Sequence, residues 1–198
     1  MKSFPVLLLG IILCIILLPT TQLAGQASSA NNAAADSLQR KLDQIARNGE
    51  APHAQPITTV MTEQEINAYI AAGRVKLPAG VKAVRFSGMR GVVSSVSRVD
   101  FDQLTAGQRS SNPLLGVFSG MHDVAVTAHA SGASGIGTVH IDTVELDGVE
   151  IPNFVLQMFV DRYLKPKYPE LGLDSRFRLP DRIDTATVGQ HTLTVTQK

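Results

Sequence analysis

Ile151-Pro152-Asn153-Phe154-Val155-Leu156-Gln157-Met158-Phe159-Val160-Asp161-Arg162-Tyr163-Leu164 is the stretch on which the fold turns. Pro152 suits the first turn of a helix, where its missing N–H breaks no bond, so the segment reads as a helix running to Leu164. Asn153, Gln157 and Asp161 recur every four residues as a narrow polar stripe, and apolar side chains cover nearly everything else. A helix lying on one flat sheet has no use for that much apolar circumference. Either a sheet curls around it or part of its surface meets an apolar ligand, and the two are compatible.

Upstream of this helix the periodicity is that of strands. Val84 and Phe86 alternate with Arg85 and Ser87, and beyond Gly88 a longer segment sets Val92 and Val96 in alternation with polar residues up to Phe101 and Leu104. Residues 121–130 and 136–146 form a further pair, joined by Ser131-Gly132-Ala133-Ser134-Gly135, whose glycines permit a tight reversal. A last hairpin runs over 182–197 and turns near Gly189-Gln190. Such short connections predict antiparallel pairing, because a parallel pair needs a long crossover. Two short helices precede the strands. Leu38, Leu42 and Ile45 recur at helical spacing after Asp36 and Ser37, with Asn48-Gly49 as the stop. Thr62 stands three residues before Glu65, a capping box, with Ile66, Tyr69 and Ile70 as the apolar face and Gly73 as the close.

The N-terminus reads as an export signal. Lys2 precedes an apolar run of about 13 residues from Val6 to Leu18, followed by Pro19 and small residues. The run is shorter than the roughly 18 residues of a bilayer span, so residues 1–27 are expected to be a signal peptide cut after Ala27, the alternative being an uncleaved membrane anchor. Cys14, the only cysteine, lies inside the run, so the remaining chain forms no disulfide. Residues 28–35, rich in Ala, Ser and Asn, read as a flexible spacer, and 36–198 as a single domain. With 18 Lys and Arg against 17 Asp and Glu, the chain has no basic block for nucleic acid.

The segment Met61-Thr62-Glu63-Gln64-Glu65-Ile66-Asn67-Ala68-Tyr69-Ile70 resembles the helix opening of small bacterial envelope proteins related to the tubular lipid-binding superfamily, among them the mycobacterial lipomannan-elongation factor. The strand over 137–145, the entry Asp147-Gly148-Val149-Glu150-Ile151-Pro152 into the helix and Leu179-Pro180 before the closing hairpin are similar too, so the resemblance spans about 56–197. It implies an α+β module in which a highly curved antiparallel sheet wraps a long apolar helix and leaves a groove for acyl chains. A chain of this size supplies one such module.

Residues that carry chemistry are sparse. His140 and Asp142 share a strand face, with His122 or His129 on the neighbouring strand as a third metal ligand on paper, yet the alternation with Val139, Ile141, Val124 and Val126 is equally that of a sheet with one wet face. Ser119, in Gly116-Val117-Phe118-Ser119-Gly120, lacks the glycine spacing of a nucleophile elbow. The glycines at 132, 135 and 137 lead into a strand, whereas a phosphate cradle leads into a helix, so they read as a turn. No catalytic residue, metal or cofactor is expected. The sequence points instead to an exported periplasmic or cell-surface protein that binds a lipid or lipid-like molecule. Its expected wall residues are Phe154, Val155, Met158 and Phe159 on the helix and Phe86 and Phe101 on the strands. Lys165, Lys167 and Tyr168 after the helix offer two cations and an amphipathic ring to a membrane surface. Two rivals stand beside this reading: an envelope scaffold with no ligand, and a metal-dependent hydrolase built on the histidines.

Overall fold

A computed structural model describes residues 27–108, 111–166, 168–169 and 171–198, so the proposed leader up to residue 26, with Cys14, lies outside the described residues. The elements in order are α1 (Ala27–Glu50), β1 (Thr58–Thr62), α2 (Glu63–Ala71), β2 (Val81–Met89), β3 (Val92–Asp100), α3 (Phe101–Leu104), a 3-10 turn (Pro113–Val117), β4 (Met121–Ala133), β5 (Ile136–Leu146), β6 (Val149–Glu150), α4 (Asn153–Phe159) running on as a π-helical turn (Val160–Leu164), β7 (Asp174–Arg178), β8 (Ile183–Gly189) and β9 (Thr192–Gln197). The class is α+β. Nine strands form one open sheet in the order β1-β9-β8-β4-β3-β2, with β5 pairing β4, β6 and β7. Every pairing is antiparallel, as the short connections require.

The long strand β4 organises the sheet. Its first part pairs with β3 from Met121 to His129, and further along Ser131 and Gly132 pair with β8 on that same flank. Between β4 and β5 the reversal is made by Ser134 and Gly135 alone, both at positive φ, the conformation of a two-residue hairpin turn. Gly132 and Gly137 therefore belong to strands rather than to the turn, and face each other across the pair. A Cβ at Gly132 would come within 2.9 Å of Ala186 and Leu179, and one at Gly137 within 2.6 Å of Phe177. The glycines are there because neighbouring side chains press onto the backbone.

Several expectations need correction. The stretch 28–35 is not a spacer: α1 starts at Ala27 and Ala35 is fully buried. Small residues suggest flexibility by composition, yet alanine is also the strongest helix former, and here the helix has a core to lie on. The second strand stops at Asp100, whose carboxylate accepts from the Gln103 N–H, so Phe101–Leu104 is a helical turn. Its alternation is also inverted: Val93, Ser95 and Val99 are buried, while Val96 is 58% exposed. Strands β1 and β7, five residues each, were not anticipated.

Two hydrophobic cores result. The first gathers α1, α2, β1, β8 and β9 around Met61, Tyr69 and Val195, and the second gathers α4 with the adjoining ends of β3, β4 and β5 around Phe101, Phe118 and Phe159. Ile141 and Leu164 pack against both. The capping box at Thr62 and Glu65 forms as expected. Beyond it α2 covers part of the free edge of β2: Asn67 donates to the Phe86 carbonyl and accepts from the Phe86 N–H, both at 2.8 Å, and Glu63 accepts from the Gly88 N–H at 3.1 Å. An edge satisfied in this way no longer recruits another strand.

Candidate functional site: an apolar cavity at the seam of two cores

The helix over 153–164 exists, and it packs through one side. Val155, Leu156, Phe159, Val160 and Tyr163 are buried, whereas Asn153, Phe154, Asp161 and Arg162 are exposed. Gln157 and Asp161 hold the outer stripe together, with Gln157 donating to Asp161 at 2.8 Å and Lys165 pairing with Asp161 at 2.5 Å. Those bonds, together with attraction between the carboxylate and the ammonium, keep the Asp161 carboxyl below its ordinary range. The helix widens at its end, where the Lys165 N–H reaches back to the Val160 carbonyl at 2.9 Å.

Between this helix and the sheet lies a cavity of about 190 Å³. Its wall mixes residues of both cores: Phe86 and Val139 from the first, Phe101, Phe118, Leu156 and Phe159 from the second. Phe159 sits at the centre of an aromatic cluster, with ring centroids 4.2 Å from Phe118, 5.6 Å from Phe101 and 5.2 Å from Tyr163. Among the lining residues only Ser95, Ser97 and Ser175 carry polar side chains, and none is ionisable. Lining residues that are only half-buried, including Val81, Val84, Leu104, Leu164 and Leu173, belong to the edge strand, its flank and the far end of the helix. They mark the side on which the cavity approaches solvent.

Of the six expected wall residues, Phe86, Phe101 and Phe159 line this space. Val155 is buried in the second core without reaching the cavity, Met158 is half-buried beside Asn112, whose side-chain amide lies 3.6 Å from its sulfur, and Phe154 is 60% exposed. The helix turns Leu156, Phe159, Val160 and Leu164 toward the cavity instead. A segment apolar at almost every position carries no phase, so which three or four side chains face inward was not legible. Of the basic segment after the helix, Lys165 is engaged by Asp161, Tyr168 packs against the first core, and Lys167 lies outside the described residues.

His122, His129 and His140 are each paired with an acid. His129 and His140 face each other across β4 and β5, with His129 2.7 Å from Asp142 and His140 2.5 Å from Asp174. They border a wide depression of about 700 Å³, open to solvent, that Ser131, Thr138, Asp174 and Arg176 also line. His122 is taken up elsewhere, by Asp147 at 2.7 Å, a bond that raises its pKa. Its second nitrogen meets the Ser119 carbonyl at 2.9 Å, while the Ser119 hydroxyl donates to the Gly116 carbonyl. The imidazole therefore has no serine hydroxyl to activate. Among the described residues no three His, Cys, Asp or Glu side chains are grouped to hold a metal ion.

The chain matches no family model, no curated protein and no solved structure. The site must be read from its own geometry. Among the described residues no helix is long and apolar enough to cross a membrane.

Proposed function

We propose that the protein is an exported envelope protein that binds a lipid or other apolar molecule, without covalent chemistry, in the cavity between α4 and the sheet. The observation that carries this reading is a space of about 190 Å³ walled by apolar side chains at the junction of two cores. Such space is costly to leave empty, and an apolar cavity of roughly 150 Å³ is large enough to take a benzene ring. It is smaller than the roughly 300–1,000 Å³ of a pocket for a drug-sized ligand, so it suits a short apolar group or the end of a longer chain leaving past the half-buried rim. Affinity comes from removing hydrocarbon from water, about 0.8 kcal/mol per buried methylene.

The wrapping of sheet around helix implied by the tubular lipid-binding resemblance belongs to this proposal, as does export by the leader. Contact with an anionic membrane through the segment after α4 belongs to it as well, and requires Lys165 to exchange Asp161 for a lipid phosphate. The ligand-free scaffold draws support from a different observation, the exposed apolar side chains Leu114, Val117, Met121, Val149 and Phe154. Native mass spectrometry of the protein purified gently from its own envelope separates the two. A bound mass that organic solvent extracts as a lipid is the expected result. No adduct, together with no uptake of small apolar probes, overturns the ligand reading in favour of the scaffold.

A further inference from the structure

The cavity is not uniformly apolar, and its exception lies on β3. The inward face of this strand reads Val93, Ser95, Ser97 and Val99, so two hydroxyls occupy the middle of a wall otherwise built from valine, leucine and phenylalanine. Ser95 is only 5% exposed and lines the cavity. Ser97, two residues on and on the same face, has one long contact, 3.4 Å to the Val124 carbonyl. Ser175, the third lining hydroxyl, is already committed, accepting from the Gly172 N–H and donating to the Gly172 carbonyl at 3.2 Å each.

A hydroxyl set in an apolar wall is unfavourable unless it is hydrogen-bonded, and the strand places its own valine outward at 96 while turning serines in. A resident water is a poor remedy, because it needs two to four polar partners and the surrounding wall supplies few. A serine hydroxyl both donates and accepts, so it suits an alcohol, ester or ketone oxygen equally. A carboxylate or phosphate does not suit the depth of the cavity, where no cationic side chain lines the wall to offset its desolvation.

We infer that the ligand's apolar body carries one neutral oxygen, and that the Ser95 hydroxyl binds it, with Ser97 as its neighbour on the same wall. This rests on the ligand-binding reading above and names the class of molecule that reading left open. The recognition is hydrogen bonding alone; no bond is made or broken.

The test compares 1-heptanol with heptane, two probes of one chain length that differ by the oxygen, on the wild-type protein and on Ser95→Ala. Binding is followed by titration with NMR of the methyl groups of Val139, Ile141 and Leu156, which line the site. The expected result is that Ser95→Ala weakens 1-heptanol about tenfold, the loss of one buried hydrogen bond, and leaves heptane unchanged or tighter. Ser95→Cys, close in size and a poor hydrogen bonder, is expected to give the same split, and serves if the alanine variant folds badly. Equal effects on both probes, or none on either, overturn the role of Ser95 while leaving the apolar site standing. Failure of both probes to bind the wild-type protein overturns the ligand-binding reading itself, and this inference with it.

Discussion

Glu65 is 8% exposed beneath α1 and answers to four groups: the Thr62 N–H at 2.8 Å, the Thr62 hydroxyl, the Ser37 hydroxyl at 2.6 Å and the Lys41 ammonium at 2.7 Å. Burial pushes its carboxyl up, but the bonds from Lys41, Ser37 and Thr62 outweigh burial and hold the pKa down to about 2. The folded state therefore releases the proton more readily than the unfolded chain. The resulting stability is complete above the ordinary carboxyl value of 4.5 and is lost as pH falls toward 2. Its size is up to about 3 kcal/mol. Glu65→Gln is expected to lower the urea midpoint at pH 7 and to flatten the acid limb of stability between pH 5 and pH 2; an unchanged acid limb shows that another carboxylate controls it. The capping role was legible from Thr62 and Glu65, whereas Ser37 and Lys41 come from a helix more than twenty residues away, which no local pattern reports. Gln197 gives the same lesson. Fully buried, it donates to the Ile45 and Asp181 carbonyls at 2.8 and 2.6 Å and accepts from Asn48, tying the last strand to α1. Gln197→Leu removes all three of these bonds from a buried position and is expected to cost about 2–3 kcal/mol in chemical denaturation.

α4 separates what a segment's composition tells from what its orientation tells. Its existence, its start after Pro152 and its polar stripe through Gln157 and Asp161 were readable, because proline and four-residue spacing act locally. Its facing was not, since Phe154 and Phe159 are chemically alike and only packing decides that one is 60% exposed and the other buried. Phe159→Ala is accordingly expected to cost about 3–5 kcal/mol and to enlarge the cavity, because it removes the ring that touches Phe101, Phe118 and Tyr163. Phe154→Ser is expected to stay within about 0.5 kcal/mol of the wild type, as exposed substitutions do. Equal losses in the two variants, measured by urea unfolding, would show that Phe154 is covered in solution. The same reasoning applies to β3. Alternation with polar residues puts Val92 and Val96 on one apolar face, whereas in the structure Val93, Ser95 and Val99 are the buried residues, because pairing with β2 and β4 fixes the register and the cavity accepts the serines.

At the scale of the molecule, the antiparallel α+β class followed from short connections, but the division into two cores did not. Contacts such as Asn48 with Gln197 join residues at opposite ends of the chain. The cavity lies where the cores meet, and its wall takes residues from each, so a ligand there touches both at once. Binding to the folded state alone stabilises it by mass action, about 2.7 kcal/mol when free ligand stands at one hundred times its dissociation constant. A ligand confined to one core would protect only that core's amides against local opening. One that bridges them is expected to slow hydrogen exchange on both sides, in β8 and β9 of the first core as well as in α4 of the second. Saturating 1-heptanol provides the measurement, with exchange followed by mass spectrometry. Protection restricted to α4 and the ends of β3 to β5 would place the ligand within the second core and remove the seam from its binding.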